Sequence, residues 1–307
     1  MTPTPDSGGP GSVELRSGDD IERAVTILRR GGIVGVPTET VYGLGASLES
    51  STGLARVFAT KGRPVDHPLI AHVSDVAAAR RLSSDWPEVA DLLARTFWPG
   101  PLTLVVPAAD DVPTTVTGGR STVAVRVPSH PLFRGLLAAL GAPVAAPSAN
   151  RFGEVSPTSA EHVLRDLGDD VDYVLDGGPS EIGLESTIVD CTCSPPQILR
   201  PGAVTNEMLE EVLTTAGPSG PARAPGMLDR HYAPRCRLVL VEANDLRSAN
   251  LPTLDARNDP ESFAHRLYDE LRRLDDQGVE VAQVILPANT GIGRAIRDRL
   301  GKAAAGR

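Results

Sequence analysis

The sequence predicts an α/β protein with helices packed on a mixed sheet, followed by a second, smaller α/β unit. Short apolar runs typical of strands alternate with segments whose apolar residues recur at helical spacing. A stretch rich in Gly, Pro and Ala from 214 to 225 separates the two parts as a linker. The 30 glycines and 27 prolines make up close to a fifth of the 307 residues and indicate many ordered turns between these runs.

Helices are expected wherever apolar side chains form a stripe bounded by capping or breaking residues. The segment 17–30 carries such a stripe and is stopped by Gly31-Gly32, and Ser50 or Ser51 can cap a helix that runs to Lys61. Asp259-Pro260 is a typical helix start, with proline at the first helical position. Further helices are predicted at 75–82, 86–98, 130–140, from a Thr158–Glu161 capping box to about 168, and at 206–213, 259–277 and 293–305.

Strands are expected in the short apolar runs between these helices. The segment 121–127 alternates, with Thr122, Ala124 and Arg126 sharing one face. The segment 38–45 is polar and glycine-rich, and is predicted to be a loop. The other predicted strands are 33–36, 69–73, 102–106, 143–146, 172–175, 186–190, 197–199, 238–241 and 281–286.

Composition excludes several classes of protein. A hydrophobic fraction of 41% supports a core and excludes global disorder. The net charge of −9 argues against a protein that coats nucleic acid or an anionic membrane, and 4% aromatics argue against a base-stacking surface. No run of about 18 apolar residues is present, so no membrane span is predicted. The odd cysteine count argues against a disulfide framework and predicts a reducing, cytoplasmic environment.

Cations, hydroxyls and amides cluster just after predicted strands, where α/β sheets place ligands. These groups suit a polyphosphate and a carboxylate, because arginine binds such oxygens bidentately and lysine binds them as a point charge. Neither a Walker motif nor G-x-S-x-G is present. Each cluster alone also fits a surface pair, a turn or a helix cap, and His72 also fits a core position. The clusters are Thr38, Glu39 and Thr40; Lys61 and Arg63; Thr122 and Arg126; Ser148, Asn150 and Ser156; Ser186 and Thr187; and Arg200.

Taken together, eight motifs occur in the order found in the Sua5/YrdC/YciO family, which the chain resembles from 12 to 213. The His231-Tyr232 region and the small unit resemble the linker and second domain of two-domain, Sua5-type members. In chain order, the eight motifs start with the segments Pro37-Thr38-Glu39-Thr40, Lys61-Gly62-Arg63-Pro64, Pro68-Leu69-Ile70, Trp98-Pro99-Gly100-Pro101, Val125-Arg126-Val127-Pro128, Pro147-Ser148-Ala149-Asn150, Glu185-Ser186-Thr187-Ile188 and Leu199-Arg200-Pro201-Gly202.

The resemblance implies a YrdC-like twisted mixed sheet around a concave cavity, plus a small Rossmann-like Sua5 domain. That domain is shortened here, because only 242–258 separates its first strand from its first helix. The expected organisation is a disordered tail at 1–12 that lacks signal-peptide character, a catalytic domain at 13–213, a linker or lid at 214–235 and the small domain at 236–307.

The resemblance implies a nucleotidyltransferase that makes L-threonylcarbamoyl-AMP from L-threonine, bicarbonate and ATP, with Mg²⁺ brought by ATP and pyrophosphate released. The product would pass to the machinery that forms N6-threonylcarbamoyladenosine at position 37 of tRNA, with at most weak tRNA contact. Catalysis is assigned by resemblance to Lys61 and Arg63, and threonine binding to Thr40, His72, Arg126, Ala146 and Ser186. ATP binding is assigned to Lys61, Arg63, His67, Thr122, Ser148, Asn150, Ser156, Arg200, His231 and Tyr232; no resident metal ligand is assigned.

Two other functions compete with this interpretation. The first is a non-enzymatic tRNA- or double-stranded-RNA-binding or ribosome-maturation protein that uses the same cavity, which the charge of −9 and the scarce aromatics disfavour. The second is a carbamoyl-adenylate enzyme of the hydrogenase-maturation type. Such proteins carry zinc-binding cysteine motifs that this chain lacks.

Overall fold

The computed structural model describes residues 16–219, 224–225, 231–242, 245, 248 and 250–305. The predicted tail at 1–12 lies outside these residues, as do 220–223 and 226–230 of the predicted linker. The strands are β1 (Ser17–Gly18), β2 (Val34–Val36), β3 (Gly43–Ser47), β4 (Ile70–His72), β5 (Leu102–Pro107), β6 (Thr122–Arg126), β7 (Val144–Ala145), β8 (Tyr173–Leu175), β9 (Thr187–Asp190), β10 (Gln197–Arg200), β11 (Arg237–Val241), β12 (Thr253–Asp255) and β13 (Val281–Ile285). The helices are α1 (Ile21–Arg29), α2 (Ser51–Lys61), α3 (Val76–Arg81), α4 (Glu88–Phe97), α5 (Thr114–Thr117), α6 (Pro131–Leu140), α7 (Ala160–Leu167), α8 (Asn206–Glu210), α9 (Pro260–Asp276) and α10 (Ile292–Ala304).

The large sheet is mixed, as predicted, and its spatial order is β1-β8-β2-β3-β7-β4-β6-β5-β9-β10. Four neighbouring pairs are parallel: β1 with β8, β8 with β2, β4 with β6, and β5 with β9. Apolar clusters cover the sheet, one containing residues of α2, α4 and α7 and another containing residues of α1 and α6. None of the helices in the described ranges is long and apolar enough to cross a membrane.

The second unit has a three-stranded parallel sheet in the order β11-β13-β12, packed with α9 and α10. Its apolar cluster also includes Val41, Val155 and Leu184 of the first unit. The two units therefore share buried apolar surface, which favours a fixed docking of one on the other. The Rossmann-like character of the small unit stays a prediction.

Several elements differ from the sequence-based expectation. The start of the predicted helix 17–30 is the short strand β1, which pairs with β8, and the helix begins only after the N-cap Asp20. Residue Ser159, rather than Thr158, caps α7, because its hydroxyl accepts the backbone N–H of His162. The elements α5 and β12 were not predicted; both are short and lack a clear periodic pattern.

Strand β3 begins inside the segment 38–45, which was predicted to be a loop, and continues to Ser47. It pairs with β2 and β7, and its glycines are needed because neighbouring side chains approach closely. A Cβ at Gly43 would lie 2.9 Å from the Ala146 Cβ, and one at Gly45 would lie 3.0 Å from Val144 Cγ1. Glycine weakens the strand signal in sequence while allowing this close approach of strands.

Candidate active site

The sheet places His72 and Arg126 side by side. Parallel pairing of β4 with β6 makes them register partners where both strands end. The His72 ring packs against Phe133, with centroids 5.2 Å apart, and burial and the Arg126 charge lower the pKa of His72 to about 3. The imidazole is therefore neutral at physiological pH. Its Nδ1 is buried and has no hydrogen-bond partner among the described residues.

Arg126 is held in place by a carboxylate, a hydroxyl and a carbonyl. Its Nη2 lies 2.8 Å from Glu39 Oε1, its Nη1 donates to Thr40 Oγ1 at 3.0 Å, and its Nε donates to the Gly100 carbonyl at 3.2 Å. Burial raises the pKa of the Glu39 carboxyl, but the Arg126 charge opposes this and the net pKa is lowered. The pair is therefore ionic and buried.

The segment after β2 forms a turn that Thr38 organises. The Thr38 hydroxyl accepts the backbone N–H of Thr40 and of Val41, and donates to the Val41 carbonyl at 2.6 Å. This turn places the Thr40 hydroxyl beside Arg126. The segment thus forms part of the site and does not cap a helix.

Lys61 and Arg63 leave the end of α2 in different directions. Gly62 ends the helix with a left-handed φ of 63°, which glycine adopts without strain. Lys61 Nζ donates to the carbonyls of Ser148 and Asn150, and burial with the nearby Arg63 charge lowers the pKa of Lys61 well below its usual value. Lys61 therefore ties α2 to the loop after β7 rather than lining the cavity.

The Arg63 guanidinium points into the cavity. Its Nη2 donates to the Pro68 carbonyl at 2.9 Å, and it lies 5.9 Å from the centre of the Phe152 ring. Burial lowers the pKa of Arg63 to about 10, so it remains a cation at physiological pH. Phe152 also contacts the rings of His67 and His231, and no sequence signal identified this contact between two predicted site residues.

Ser186 and Arg200 stand at adjoining ends of β9 and β10. Arg200 Nη2 donates to the Ser186 Oγ at 3.0 Å and to its carbonyl at 2.9 Å, and the Ser186 Oγ lies 2.8 Å from Thr103 Oγ1. Arg200 Nη1 donates to the carbonyl of Pro225 in the linker at 3.2 Å. Ser186 precedes its strand, whereas the polar groups were expected to follow strands. The start of β9 lies at this edge of the sheet because β9 runs antiparallel to β6, with β5 between them.

His231 and Tyr232 reach the cavity from the linker. Both side chains are buried, and the Tyr232 backbone has a left-handed φ of 63°, which costs a non-glycine residue conformational energy. Burial and the surrounding cations lower the pKa of His231 to about 3. Neither the Tyr232 hydroxyl nor the His231 Nδ1 has a hydrogen-bond partner among the described residues.

One cavity unites ten of the predicted site residues. Its walls include Thr40, Arg63, His72, Arg126, Ala146, Ser148, Ser186, Arg200, His231 and Tyr232. Sequence reasoning named Thr38 in a polar cluster without giving it a role, and it did not name the remaining lining residues as ligand-binding. These are Val41, Gly43, Ile70, Pro147, Glu185 and Pro225. Most of these neighbour a predicted residue in the same motif, which was the available signal.

Five predicted residues do not line this cavity. Lys61 and Asn150 lie buried behind the Ser148 loop, and Ser156 donates to Glu185 at 2.7 Å. His67 packs on Phe152 outside the lining. Thr122, a fifth, lines a separate cavity of about 510 Å³ with Thr117 and Arg120. Thr122 and Arg126 share a strand face, but four residues of extended chain separate them by roughly 13 Å.

The cavity is positively charged. Within the described part of the chain, neither Arg63 nor Arg200 forms an ion pair with a carboxylate. The Glu185 carboxylate is fully engaged by Tyr268, Arg299 and Ser156, and its pKa is lowered to about 2 because the charges of Arg299 and Arg200 outweigh burial. No group of three or more His, Cys, Asp or Glu side chains in the described ranges is arranged to hold a metal ion. The donor set suits anions.

Comparison with known proteins bears on what this cavity is. Residues 26–202 match the Sua5/YciO/YrdC family model, described as telomere recombination, and residues 204–305 match the model of the threonylcarbamoyl-AMP synthase C-terminal domain. The threonylcarbamoyl-AMP synthase of Pyrococcus abyssi is 39% identical over 92% of this chain and 93% of its own length. That of Bacillus subtilis is 38% identical over 96% of each chain.

A solved structure gives the same result in three dimensions. The crystal structure of Pyrococcus abyssi Sua5 complexed with L-threonine superposes with a TM-score of 0.87 at 36% identity, over 94% of each chain. Fold, motif order and both family models agree along nearly the whole chain, and the family resemblance is confirmed. The chain belongs to the Sua5/YciO/YrdC family and carries the C-terminal domain of the threonylcarbamoyl-AMP synthases.

Proposed function

We propose that this protein is an enzyme that makes L-threonylcarbamoyl-AMP from L-threonine, bicarbonate and ATP and releases pyrophosphate. The observation that carries the proposal is the cavity itself. It sets a fixed arginine and a neutral histidine beside two guanidiniums that form no ion pair in the described chain. The synthase relatives and the threonine-bound Pyrococcus abyssi structure support the same assignment.

Threonine would bind on the side formed by β4 and β6. The Arg126 guanidinium is already oriented by Glu39 and Thr40. Its remaining N–H groups can therefore donate to a substrate carboxylate without reorganisation. The neutral His72 adds a polar ring that does not repel an amine. Ala146 and Ser186 complete this side of the wall.

The nucleotide would bind on the side formed by Arg63, Ser148 and Arg200. Arg200 now donates to the Pro225 carbonyl, and a phosphate oxygen can take the place of that acceptor. Lys61 would act indirectly by holding the Ser148 loop. The roles in ATP binding of His67, Thr122, Asn150 and Ser156 stay predictions.

The reaction then needs two bond-forming steps. The threonine amine attacks the carbon of bicarbonate, forming a C–N bond and releasing water to give a carbamate. A carbamate oxygen next attacks the α-phosphorus of ATP, and the bond to the β-phosphate oxygen breaks. Arg63 and Arg200 would stabilise the negative charge that develops on the phosphates.

The linker would act as a lid. Pro225, His231 and Tyr232 line the cavity, and the space left between its walls is about 50 Å³, room for only a few water molecules. We expect these linker residues to move aside when ATP enters. Their return would protect the carbamate, which is unstable in water.

Magnesium would arrive with ATP as part of the substrate. The described residues offer no carboxylate cluster for a resident ion, and the Glu185 carboxylate is already occupied by hydrogen-bond donors. The phosphate oxygens would therefore hold the ion, as is common for Mg²⁺ at nucleotide sites.

The alternative of an RNA-binding protein draws no support from the cavity. Lys61, Arg63, Arg126 and Arg200 are all buried, whereas phosphate backbones of RNA are contacted by exposed cations. We propose that the product is handed to the tRNA threonylcarbamoyl-transferase machinery and that the protein acts in the cytoplasm. The described cysteines are free thiols, in keeping with a reducing compartment.

The decisive experiment identifies the product by mass spectrometry. The purified protein is incubated with Mg·ATP, bicarbonate and each amino acid in turn, and released pyrophosphate is measured in parallel. Among the amino acids, we expect only threonine to give the threonylcarbamoyl-AMP product. Pyrophosphate release should require both threonine and bicarbonate. Salt-sensitive binding of bare tRNA without any ATP turnover would instead favour the RNA-binding alternative.

A further inference from the structure

A guanidinium from the small unit joins the two segments that carry Ser186 and Arg200. Arg299, on α10, is fully buried; its Nε donates to Glu185 Oε2 at 2.7 Å and its Nη2 donates to the Pro201 carbonyl at 3.0 Å. Glu185 immediately precedes Ser186, and Pro201 immediately follows Arg200. Arg299 thus spans the open end of the β9–β10 pair, next to the cavity wall.

Helix α9 contributes a second donor to the same carboxylate. The Tyr268 hydroxyl lies 2.8 Å from Glu185 Oε2 and 3.0 Å from Oε1, and Ser156 donates to Oε1. The Tyr232 ring of the linker stacks on Tyr268 at 5.9 Å and lies 5.3 Å from the Arg299 guanidinium. The same two residues therefore support both a wall of the cavity and the linker residue that covers it.

We propose that Arg299 and Tyr268 are positioning residues for the cavity. Through Glu185 and Pro201 they set the places of Ser186 and Arg200. Their direct contacts with the Tyr232 ring set the place of that residue. Burying an ion pair contributes little net stability, but its several directional bonds fix geometry. The ligands whose binding depends on this positioning are those of the proposed function, on which this inference rests.

One hydrogen bond between the two units lies away from the cavity. Thr158 donates to Asp269, the residue next to Tyr268 on α9, at 2.8 Å. Neither Thr158 nor Asp269 lines the cavity. Asp269→Ala and Tyr268→Phe therefore each remove one hydrogen bond between the units from adjacent positions of one helix, and only Tyr268→Phe alters the support of the site.

The test compares wild type, Tyr268→Phe, Asp269→Ala and Arg299→Lys by amide hydrogen exchange and by calorimetric titration with L-threonine. In Tyr268→Phe and Arg299→Lys we expect exchange at 186–188 and 202–204 to accelerate about tenfold and the Kd for threonine to rise about fivefold. Asp269→Ala should stay within twofold of wild type in both. Arg299→Lys is included as a second variant in case the remaining contacts compensate for the single donor that Tyr268→Phe removes. This variant keeps the positive charge.

Equal exchange at 186–188 and 202–204 in all four proteins would overturn the inference. So would an acceleration of the same size in Asp269→Ala, because it would reflect general loosening between the units. The exchange measurement needs no substrate. A wild type that makes no threonylcarbamoyl-AMP would therefore refute the proposed function and leave this test intact.

Discussion

Glu39 and Arg126 form an ion pair 2.8 Å apart, with side-chain exposures of 3% and 4%. The cation proposed to receive the threonine carboxylate is therefore never alone, and a substrate carboxylate would share it with Glu39. This arrangement orients the guanidinium in advance, but it makes both partners dependent on each other. Removing either one leaves an uncompensated buried charge.

Loss of Arg126 is expected to affect folding as well as catalysis. Arg126→Ala should lower the free energy of unfolding by about 3–5 kcal/mol, because Glu39 is left buried without its counter-charge. The double variant Arg126→Ala/Glu39→Gln should recover part of that loss but none of the activity. Urea unfolding measures the first effect and pyrophosphate release the second. Equal stability of the single and double variants would contradict the pairing argument.

Loss of Arg63 is expected to affect the nucleotide and to spare threonine. Arg63→Ala should lower kcat/KM for ATP by about two orders of magnitude, because a charged clamp on the phosphates is removed. The Kd for L-threonine should change by less than about threefold, since Arg126 and His72 remain. Steady-state kinetics with ATP varied, together with threonine titration, checks this division. Equal losses for both substrates would place Arg63 between the two subsites.

Acidic pH is expected to destabilise the fold through His72 and His231. Their pKa values are lowered to about 3, whereas the value in unfolded chains is about 6.5. At pH values between these two pKa values, the unfolded state therefore binds more protons than the folded state. Stability should therefore fall as pH decreases below 6.5, by about 2 kcal/mol per histidine at pH 5. Urea unfolding at pH 7.5 and 5.0 measures the loss. The double variant His72→Gln/His231→Gln should lose markedly less than wild type over this interval, and an identical loss would refute the assignment.

The position of the α7 cap can be tested directly. Ser159→Ala should lower the free energy of unfolding by about 1 kcal/mol, because the backbone N–H of His162 loses its acceptor. Ser159→Asp retains a capping oxygen and serves as the matched control. Chemical denaturation of the three proteins decides the matter. If Ser159→Ala and Ser159→Asp unfold at the same urea concentration, the cap contributes nothing.

Local sequence patterns predicted most elements because their signals lie within a few residues. The Ser50 cap, the Gly62 stop after α2 and the proline start of α9 are each visible as short-range chemistry. Strand β3 was missed because its glycines are required by close contacts with residues of other strands, which the local sequence does not show. Thr122 was grouped with Arg126 because strand alternation reports a shared face and says nothing about distance along the strand.

Residue types and motif order alone were enough to identify an α/β family member with an anion-binding cavity, because phosphate and carboxylate ligands require cations and hydroxyls. The tertiary structure decided which of these groups face one another. Lys61 turned to backbone carbonyls, Arg126 paired with Glu39, and Glu185 joined Tyr268 and Arg299 across the two units. Such contacts link residues more than 80 positions apart, and a buried charge takes whichever partner the packing brings within reach.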